Sequence, residues 1–302
     1  MTAAPYPENK TRRGLLYGIA AYFLWGVLPI YFKAIDTVPA LDIVAHRILW
    51  SLPFLALLLF FGTGWRDVSE ALRRPRTLAL LVVTAVLIGA NWLLYVYAVT
   101  TGHILAASLG YYLNPLANVL LGRFVLKERL SWVQWTAVAI AGAGIAALAS
   151  GALGQLWISL VLCVSFASYG LLRKIASVDA VAGLAIETSM LAPLALLWLV
   201  WSLAVGLPAF GTTGTQGALL ALAGIVSTTP LLLFTAAARR LKYSSLGMLQ
   251  FLAPTLQLLL AVFAYGEPFT TAHAVAFGAI WTALLLYVVG LARAPRVVAP
   301  PE

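Results

Sequence analysis

Ten runs of about 20 largely apolar residues follow one another along this 302-residue chain, and no segment between them is long enough to fold alone. A run of that length crosses the roughly 30 Å hydrocarbon layer of a bilayer as one helix. The runs fall at roughly 14–33, 42–61, 77–99, 103–124, 132–150, 153–173, 180–205, 216–238, 243–265 and 272–292. With 62% hydrophobic and 10% charged residues, the chain has too little polar surface to cover a soluble globule of its size. The expected fold class is therefore an all-α integral membrane protein with ten transmembrane helices.

Charge placement tests that number separately, because cytoplasmic loops collect Lys and Arg. With the N-terminus inside, the inner segments hold Lys10, Arg12, Arg13, then Arg66, Arg73, Arg74, Arg76, then Arg123, Lys127, Arg129. They continue with Arg173, Lys174, then Arg239, Arg240, Lys242, then Arg293 and Arg296, which makes 17 of the 19 basic residues. Lys33 alone falls on the outer side, and Arg47 falls within a span. One span more or fewer would scramble this alternation, so both termini are expected in the cytoplasm. The net charge of +9 is thereby accounted for by topology, and no soluble basic face with interleaved aromatics suggests a nucleic-acid partner.

A signature occurs twice, 139 residues apart: Pro115 is followed by Glu128, Ser131 and Gln134, and Pro254 by Glu267, Thr270 and His273. The same offset carries Leu93-Leu94-Tyr95 onto Leu232-Leu233-Phe234. The expected organisation is a tail at 1–13, a first repeat at 14–150, a second at 151–292 and a tail at 293–302. Five spans per repeat is an odd number, so the second copy enters the membrane inverted, with Glu128 near the cytoplasm and Glu267 near the outside. Inverted repeats of this kind are a mark of secondary transporters.

An ionisable side chain at the centre of a span costs at least roughly 2.5 kcal/mol, so Arg47 and Glu187 each need a reason. Arg47, beside His46, lies about 9 Å from the outer end of the second span, and Glu187 about 12 Å from the inner end of the seventh. They are expected roughly 9 Å apart in depth and meet only if Arg47 reaches inward. Arg47 either snorkels to the outer headgroups or holds an anionic substrate group. Glu187 is too deep to snorkel easily and is expected to couple transport to protons or cations. His46 is a second proton acceptor or a hydrogen-bonded structural residue.

In the ninth span Tyr243, Gly247, Gln250, Pro254 and Gln257 recur at steps of four and three, which puts them on one stripe. Their fourth-span equivalents include Tyr111, Pro115 and Asn118, with Ser108 and Gly122 on the same side and Asn114 at the edge. Amides at membrane depth either glue helices together or, beside the carbonyls that each proline frees, bind a polar substrate. Asn91 with Trp92 and Tyr95, and Ser227-Thr228-Thr229-Pro230, add candidates. Glu128 and Glu267 lie just past helix ends, where Ser131 and Thr270 are expected to cap the next span and the carboxylates to favour its N-terminal dipole, with gating as the alternative. Gly142 and Gly144 fit close helix packing.

The single cysteine, Cys163, excludes an intrachain disulfide or a multi-cysteine metal site. Arg12-Arg13 precedes a full-length run containing Trp25 and Pro29 without a small-x-small cleavage site, so the first span is expected to be uncleaved. No Walker A, H-E-x-x-H or G-x-S-x-G sequence is present. No cofactor or metal is expected, and no enzymatic activity.

Ala20-Ala21-Tyr22-Phe23-Leu24-Trp25-Gly26, Pro29, Tyr31-Phe32-Lys33 and His46-Arg47-Ile48-Leu49-Trp50-Ser51 together resemble the RarD branch of the EamA-type transporters, in the drug/metabolite transporter superfamily. Ile88-Gly89-Ala90-Asn91-Trp92-Leu93-Leu94, Ala107-Ser108-Leu109-Gly110-Tyr111, Ser168-Tyr169-Gly170-Leu171-Leu172-Arg173-Lys174, Ile186-Glu187-Thr188 and Phe234-Thr235-Ala236-Ala237-Ala238 extend the resemblance over 12–292. It implies two inverted five-helix repeats in a bacterial inner membrane; similar members carry a chloramphenicol-sensitivity label.

The leading expectation is a secondary permease for a small organic metabolite or drug, in contact with the lipid bilayer and either monomeric or a homodimer. Arg47, Asn91, Tyr111, Asn114, Asn118, Gln250 and Gln257 are the candidate substrate contacts, and Glu187 and His46 the coupling groups. Pro115, Glu128, Pro254 and Glu267 are the structural signature. A lipid flippase or scramblase is the alternative, favoured if the polar stripes form an open lateral groove. An enzyme or sensor would want several ionisable groups converging at one depth.

Overall fold

A helix lies under each of the ten apolar runs in the computed structural model, which describes residues 8–62, 64–101, 103–149, 154, 156–266, 269 and 271–292. In chain order these are α1 (Glu8–Lys33), α2 (Ala40–Phe61), α3 (Gly64–Arg73), α4 (Pro75–Thr100), α5 (Ile104–Phe124) and α6 (Trp132–Ala149). There follow α7 (Leu156–Ile175), α8 (Ala180–Ala204), α9 (Gly214–Ala238), α10 (Tyr243–Gln250), α11 (Leu252–Leu259) and α12 (Thr271–Ala292). There is no strand among the described residues.

Eight helical segments are long and apolar enough to cross a membrane: α1, α2, α4, α7, α8, α9, the α10–α11 stretch and α12. The helix α6 is apolar but shorter over its described residues. Tyr111, Tyr112, Asn114 and Asn118 dilute the apolarity of α5. Phe60, Phe61, Trp132 and Leu285 are 70–83% exposed, a surface that water would penalise and hydrocarbon accepts.

Three boundaries depart from the sequence expectation. The N-terminal tail is helical from Glu8, so α1 starts before the apolar run. The segment after the second run forms α3, in which Trp65, Val68 and Leu72 recur at helical spacing on one side and Arg66, Glu70 and Arg73 lie elsewhere on the surface. The ninth run is broken: α10 ends at Gln250, α11 starts at Leu252, and a π-helical turn follows at Leu260–Ala264. Pro254 explains the break, because it has no N–H for the carbonyl of Gln250 and its ring crowds that carbonyl.

The helix α6 packs along α12, α5 along α7 and α10, α2 along α8 and α9, α1 along α9 and α11, and α4 along α7 and α8. Small residues allow the closest approaches. A Cβ on Gly144 would lie 2.6 Å from that of Ala279 on α12, and one on Gly247 would lie 2.7 Å from the carbonyl oxygen of Pro115. Capping residues start the helices after short connections: Ser131 Oγ accepts from the N–H of Gln134, whose Oε1 accepts from the N–H of Ser131 at 2.8 Å. The Asp179 carboxylate likewise accepts from the Val181 N–H at the start of α8. At mid-bundle Tyr22, Trp25, Phe166 and Phe234 interlock, with Phe166 and Phe234 centroids 5.4 Å apart.

Candidate functional site

A cavity of about 280 Å³ opens among α1, α2, α4, α5, α7, α9 and the α10–α11 stretch. Its walls come from Tyr22, Trp25, Leu28, Pro29 and Phe32 of α1, Arg47 of α2, and Ile88, Asn91, Trp92 and Tyr95 of α4. They continue with Ser108, Tyr111 and Tyr112 of α5, Phe166 of α7, Ser227 and Leu231 of α9, and Gln250, Ala253, Pro254 and Gln257. Most of these positions lie in the half of the bundle nearer the end of α1 and the start of α2.

Three prolines loosen the walls. Pro29, Pro115 and Pro254 each deprive the carbonyl four residues earlier of its helical donor: those of Trp25, Tyr111 and Gln250, all lining residues. The Trp25 carbonyl accepts from Gln257 Nε2 at 3.0 Å. Tyr111 and Gln250 are related by the 139-residue offset, so the repeated signature places equivalent backbone on two walls of one cavity.

Arg47 is the one charged residue of the described lining. Its Nε donates to Ser227 Oγ at 2.7 Å, and its guanidinium lies 4.9 Å from the ring centroid of Trp92. Ser51 holds the helix there, donating to the Arg47 carbonyl and accepting from Thr228 Oγ1 at 2.5 Å. Snorkelling to the headgroups is thus not what its side chain does.

Of the other predicted contacts, Tyr111, Gln250 and Gln257 line the cavity, and Asn91 does so while anchored, its Nδ2 donating to the Leu162 carbonyl and to Ser165 Oγ, each at 2.9 Å. Asn118 stands behind the wall and donates from Nδ2 to Gln250 Oε1 at 2.9 Å. Asn114 is fully buried outside the lining, and neither of its amide atoms has a hydrogen-bond partner among the described residues.

His46 faces away from the cavity. Its Nε2 contacts the Ala209 carbonyl at 2.8 Å, its Nδ1 accepts from Trp50 Nε1 at 3.2 Å, and Phe210 packs edge-on at 4.9 Å. Those two bonds suit a neutral ring that donates from Nε2, the arrangement of a structural histidine. One turn earlier, the buried Asp42 accepts from Trp198 Nε1 at 2.7 Å.

Glu187 lies outside the lining and does not meet Arg47. Thr84 Oγ1 donates to its Oε1 at 2.5 Å, Tyr169 OH donates to its Oε2 at 3.3 Å, and Arg173 Nε lies 3.6 Å from Oε1. Arg173 is fully buried and also donates to the Ala180 carbonyl at 3.1 Å. Counting Arg173 with the loop cations concealed this pair. The spacing that could have disclosed it is Phe166, Tyr169, Arg173, one face of α7.

Glu128 caps a helix, but one 115 residues away rather than α6, which follows it. Its Oε1 accepts from the Tyr243 N–H at 2.5 Å, and its Oε2 accepts from the Ser244 N–H at 3.0 Å and from Ser244 Oγ at 2.6 Å. The carboxylate thus sits on the positive end of α10, a long-range contact that local spacing cannot show. Around this end Lys174 Nζ donates to the carbonyls of Ala238 and Leu241, and Tyr243 OH donates to the Ala167 carbonyl. Glu267 and Thr270 lie outside the described residues.

A second, apolar hollow of about 420 Å³ lies between α2, α3 and α8, with Ser189 its one polar lining residue. No cluster of His, Cys, Asp or Glu suited to a metal ion occurs among the described residues.

A model of the EamA-like transporter family matches residues 12–150. An uncharacterized transporter of Vibrio cholerae is 45% identical over 283 residues, covering 93% of both chains. Protein RarD of Escherichia coli is 44% identical over 288 residues, covering 93% of this chain and 95% of its own. A chloramphenicol-sensitive protein RarD of Pseudomonas aeruginosa is 34% identical over 278 residues, covering 91% and 93%. Among solved structures, one crystal structure superposes with a TM-score of 0.70 at 21% identity, covering 94% of this chain and all of its own. That last likeness supports the fold alone.

Proposed function

Because the chain belongs to the EamA-like transporter family, as a RarD-type, multi-pass permease of the bacterial inner membrane, we propose that it moves a small organic molecule by alternating access around the Arg47 cavity. The observation that carries this is the position of the cavity: helices of both proposed repeats wall it, and the equivalent residues Tyr111 and Gln250 face it together. Arg47, Tyr111, Gln250 and Gln257 touch the substrate. Asn91 and Asn118 hold the wall, and Asn114 lies behind it.

The proposed architecture is ten spans with both termini in the cytoplasm, residues 14–150 and 151–292 forming two inverted repeats. Packing supports it, because exchanging the repeats maps the helix pairs onto one another. The helix α1 meets α9 as α7 meets α4, α1 meets α11 as α7 meets α5, and α2 meets α9 as α8 meets α4. The pairs α2–α8, α5–α10 and α6–α12 map onto themselves. In that frame the cavity lies in the outer half, and the Glu128, Lys174 and Tyr243 contacts close the cytoplasmic end. A cysteine replacing Arg129 should react with an impermeant thiol reagent from inside, and one replacing Tyr265 from outside, Cys163 being buried. Reaction of both from one face would sink the inverted arrangement.

Proton coupling is assigned to Glu187, the buried carboxylate on the cytoplasmic side of the cavity. Glu187→Gln alone would strand the Arg173 charge, so the informative variant is Arg173→Met/Glu187→Gln, which neutralises both partners. In proteoliposomes that variant should still exchange substrate, while a pH gradient no longer drives accumulation. Gradient-driven uptake equal to the parent protein would remove Glu187 from coupling.

A further inference from the structure

We infer that the substrate is an aromatic compound carrying one negative charge on a carboxylate and no ammonium group, bound with the carboxylate on Arg47. This rests on the transporter reading above and narrows it to a chemical class.

The argument starts from an uncompensated charge. The ion pairs of the described residues are Lys33–Asp36, Arg74–Glu70, Arg173–Glu187 and Arg239–Asp179, so Arg47 has no carboxylate partner among them. Among the described residues, only its Nε is spent on a protein acceptor, Ser227 Oγ. The hydrogens of Nη1 and Nη2 remain, and together they form the fork that fits a carboxylate through two parallel bonds. A cation at membrane depth without a counter-ion is costly, and an anionic substrate supplies the missing charge.

The sign and number of charges follow from the walls. The described lining contains Arg47 and no Asp, Glu, Lys or His. One negative charge balances it; a second would stand unpaired, and the ammonium of an amino acid would find no carboxylate. The rest of the surface specifies a ring. Trp25, Trp92, Tyr95, Tyr111, Tyr112 and Phe166 supply aromatic surface to the lining, and Tyr95 and Tyr111 meet edge to face at 5.7 Å. A volume of about 280 Å³ is at the lower edge of small-molecule sites, which run from roughly 300 to 1,000 Å³. It suits a compact ring compound better than a long-chain lipid. Ser108 Oγ, Gln250 Nε2 and Gln257 Oε1, the last two being the amide atoms not bonded to Asn118 and Trp25, are left to bond neutral ring substituents.

The test uses the purified full chain in detergent and a panel differing in charge on one skeleton: benzoate, benzamide, benzylamine and phenylalanine, with acetate as the ringless carboxylate. A ligand that binds the native state raises its melting temperature by mass action. Benzoate should raise it in a saturable way, with apparent affinity at least tenfold above that of benzamide, benzylamine, phenylalanine or acetate. The benzoate shift should vanish in Arg47→Gln and weaken in Arg47→Lys, which keeps the charge without the fork; the ligand-free melts of both variants report their folding. Phenylalanine or benzamide matching benzoate, or a benzoate shift that survives Arg47→Gln, would overturn the class. Counterflow in proteoliposomes separates this failure from that of the broader reading: an amino acid or neutral solute exchanged through the protein would refute the carboxylate and retain the transporter. If no panel member binds or exchanges, the class is also refuted, and the sidedness of cysteine labelling at Arg129 and Tyr265, which needs no substrate, judges the inverted-repeat transporter reading independently.

Discussion

Arg47 and Arg173 are two arginines drawn into the same bundle and treated in opposite ways. Arg173 is wholly enclosed and faces the Glu187 carboxylate, which Thr84 and Tyr169 also bind. Arg47 borders a cavity and has a hydroxyl, a ring face and open space around it. A buried charge must be balanced, but the balancing group need not belong to the protein. Where it does, the pair ties helices together; where it does not, the vacancy is a binding specification. In the proposed orientation, the difference separates a cytoplasmic end held by its own contacts from an outer half prepared for something else.

The largest effect that could break this contrast is on stability. Arg173→Met leaves the Glu187 carboxylate buried without its cation, a situation that typically costs about 3–5 kcal/mol. Adding Glu187→Gln should recover most of that loss, since the amide keeps the Thr84 bond without the charge. Arg47→Met removes a hydrogen bond and a cation–π contact, together worth about 1–2 kcal/mol, but also an unbalanced cation, so its net change should stay within about 1 kcal/mol. Chemical denaturation of the four proteins measures this directly. Equal losses for Arg47→Met and Arg173→Met would mean that Arg47 has a structural counter-charge after all, and the binding specification would fall.

The contrast was half visible in the chain itself. Apolar run length places the helices, since the bilayer imposes that rule on every span. Arg47 stands out because it interrupts an apolar run, and the stripe through Gln250, Pro254 and Gln257 points to the wall it forms. Arg173 does not stand out, because beside Lys174 it has the look of a loop cation; only tertiary packing turns it inward. The aromatic walls were hidden for a related reason: interfacial belts use the same residues, so Trp25 and Phe166 carry no mark of the cavity. The short helix α3 was missed because a hydropathy window long enough for a span averages away ten amphipathic residues.

Glu128 offers the smaller and sharper version of the comparison. Its carboxylate joins the end of α5 to the start of α10, across the proposed repeat boundary, by accepting two backbone N–H groups and the Ser244 hydroxyl. A single N-cap is worth about 0.5–2 kcal/mol, and the charge on a helix terminus adds about 0.3–1 kcal/mol, so Glu128→Ala should lower stability by about 2 kcal/mol. Glu128→Gln keeps an acceptor and loses the charge, and should cost about half as much. If these bonds form only while the cytoplasmic end is closed, the same free energy shifts the equilibrium toward the cytoplasm-open form by about tenfold for each 1.4 kcal/mol. A cysteine replacing Ser108, within the cavity, should then react faster with an impermeant reagent from the cytoplasmic side in Glu128→Ala and more slowly from outside. Unchanged reactivity with the expected loss of stability would make Glu128 a cap in both states, and the closure of that end would then depend on Lys174 and Tyr243.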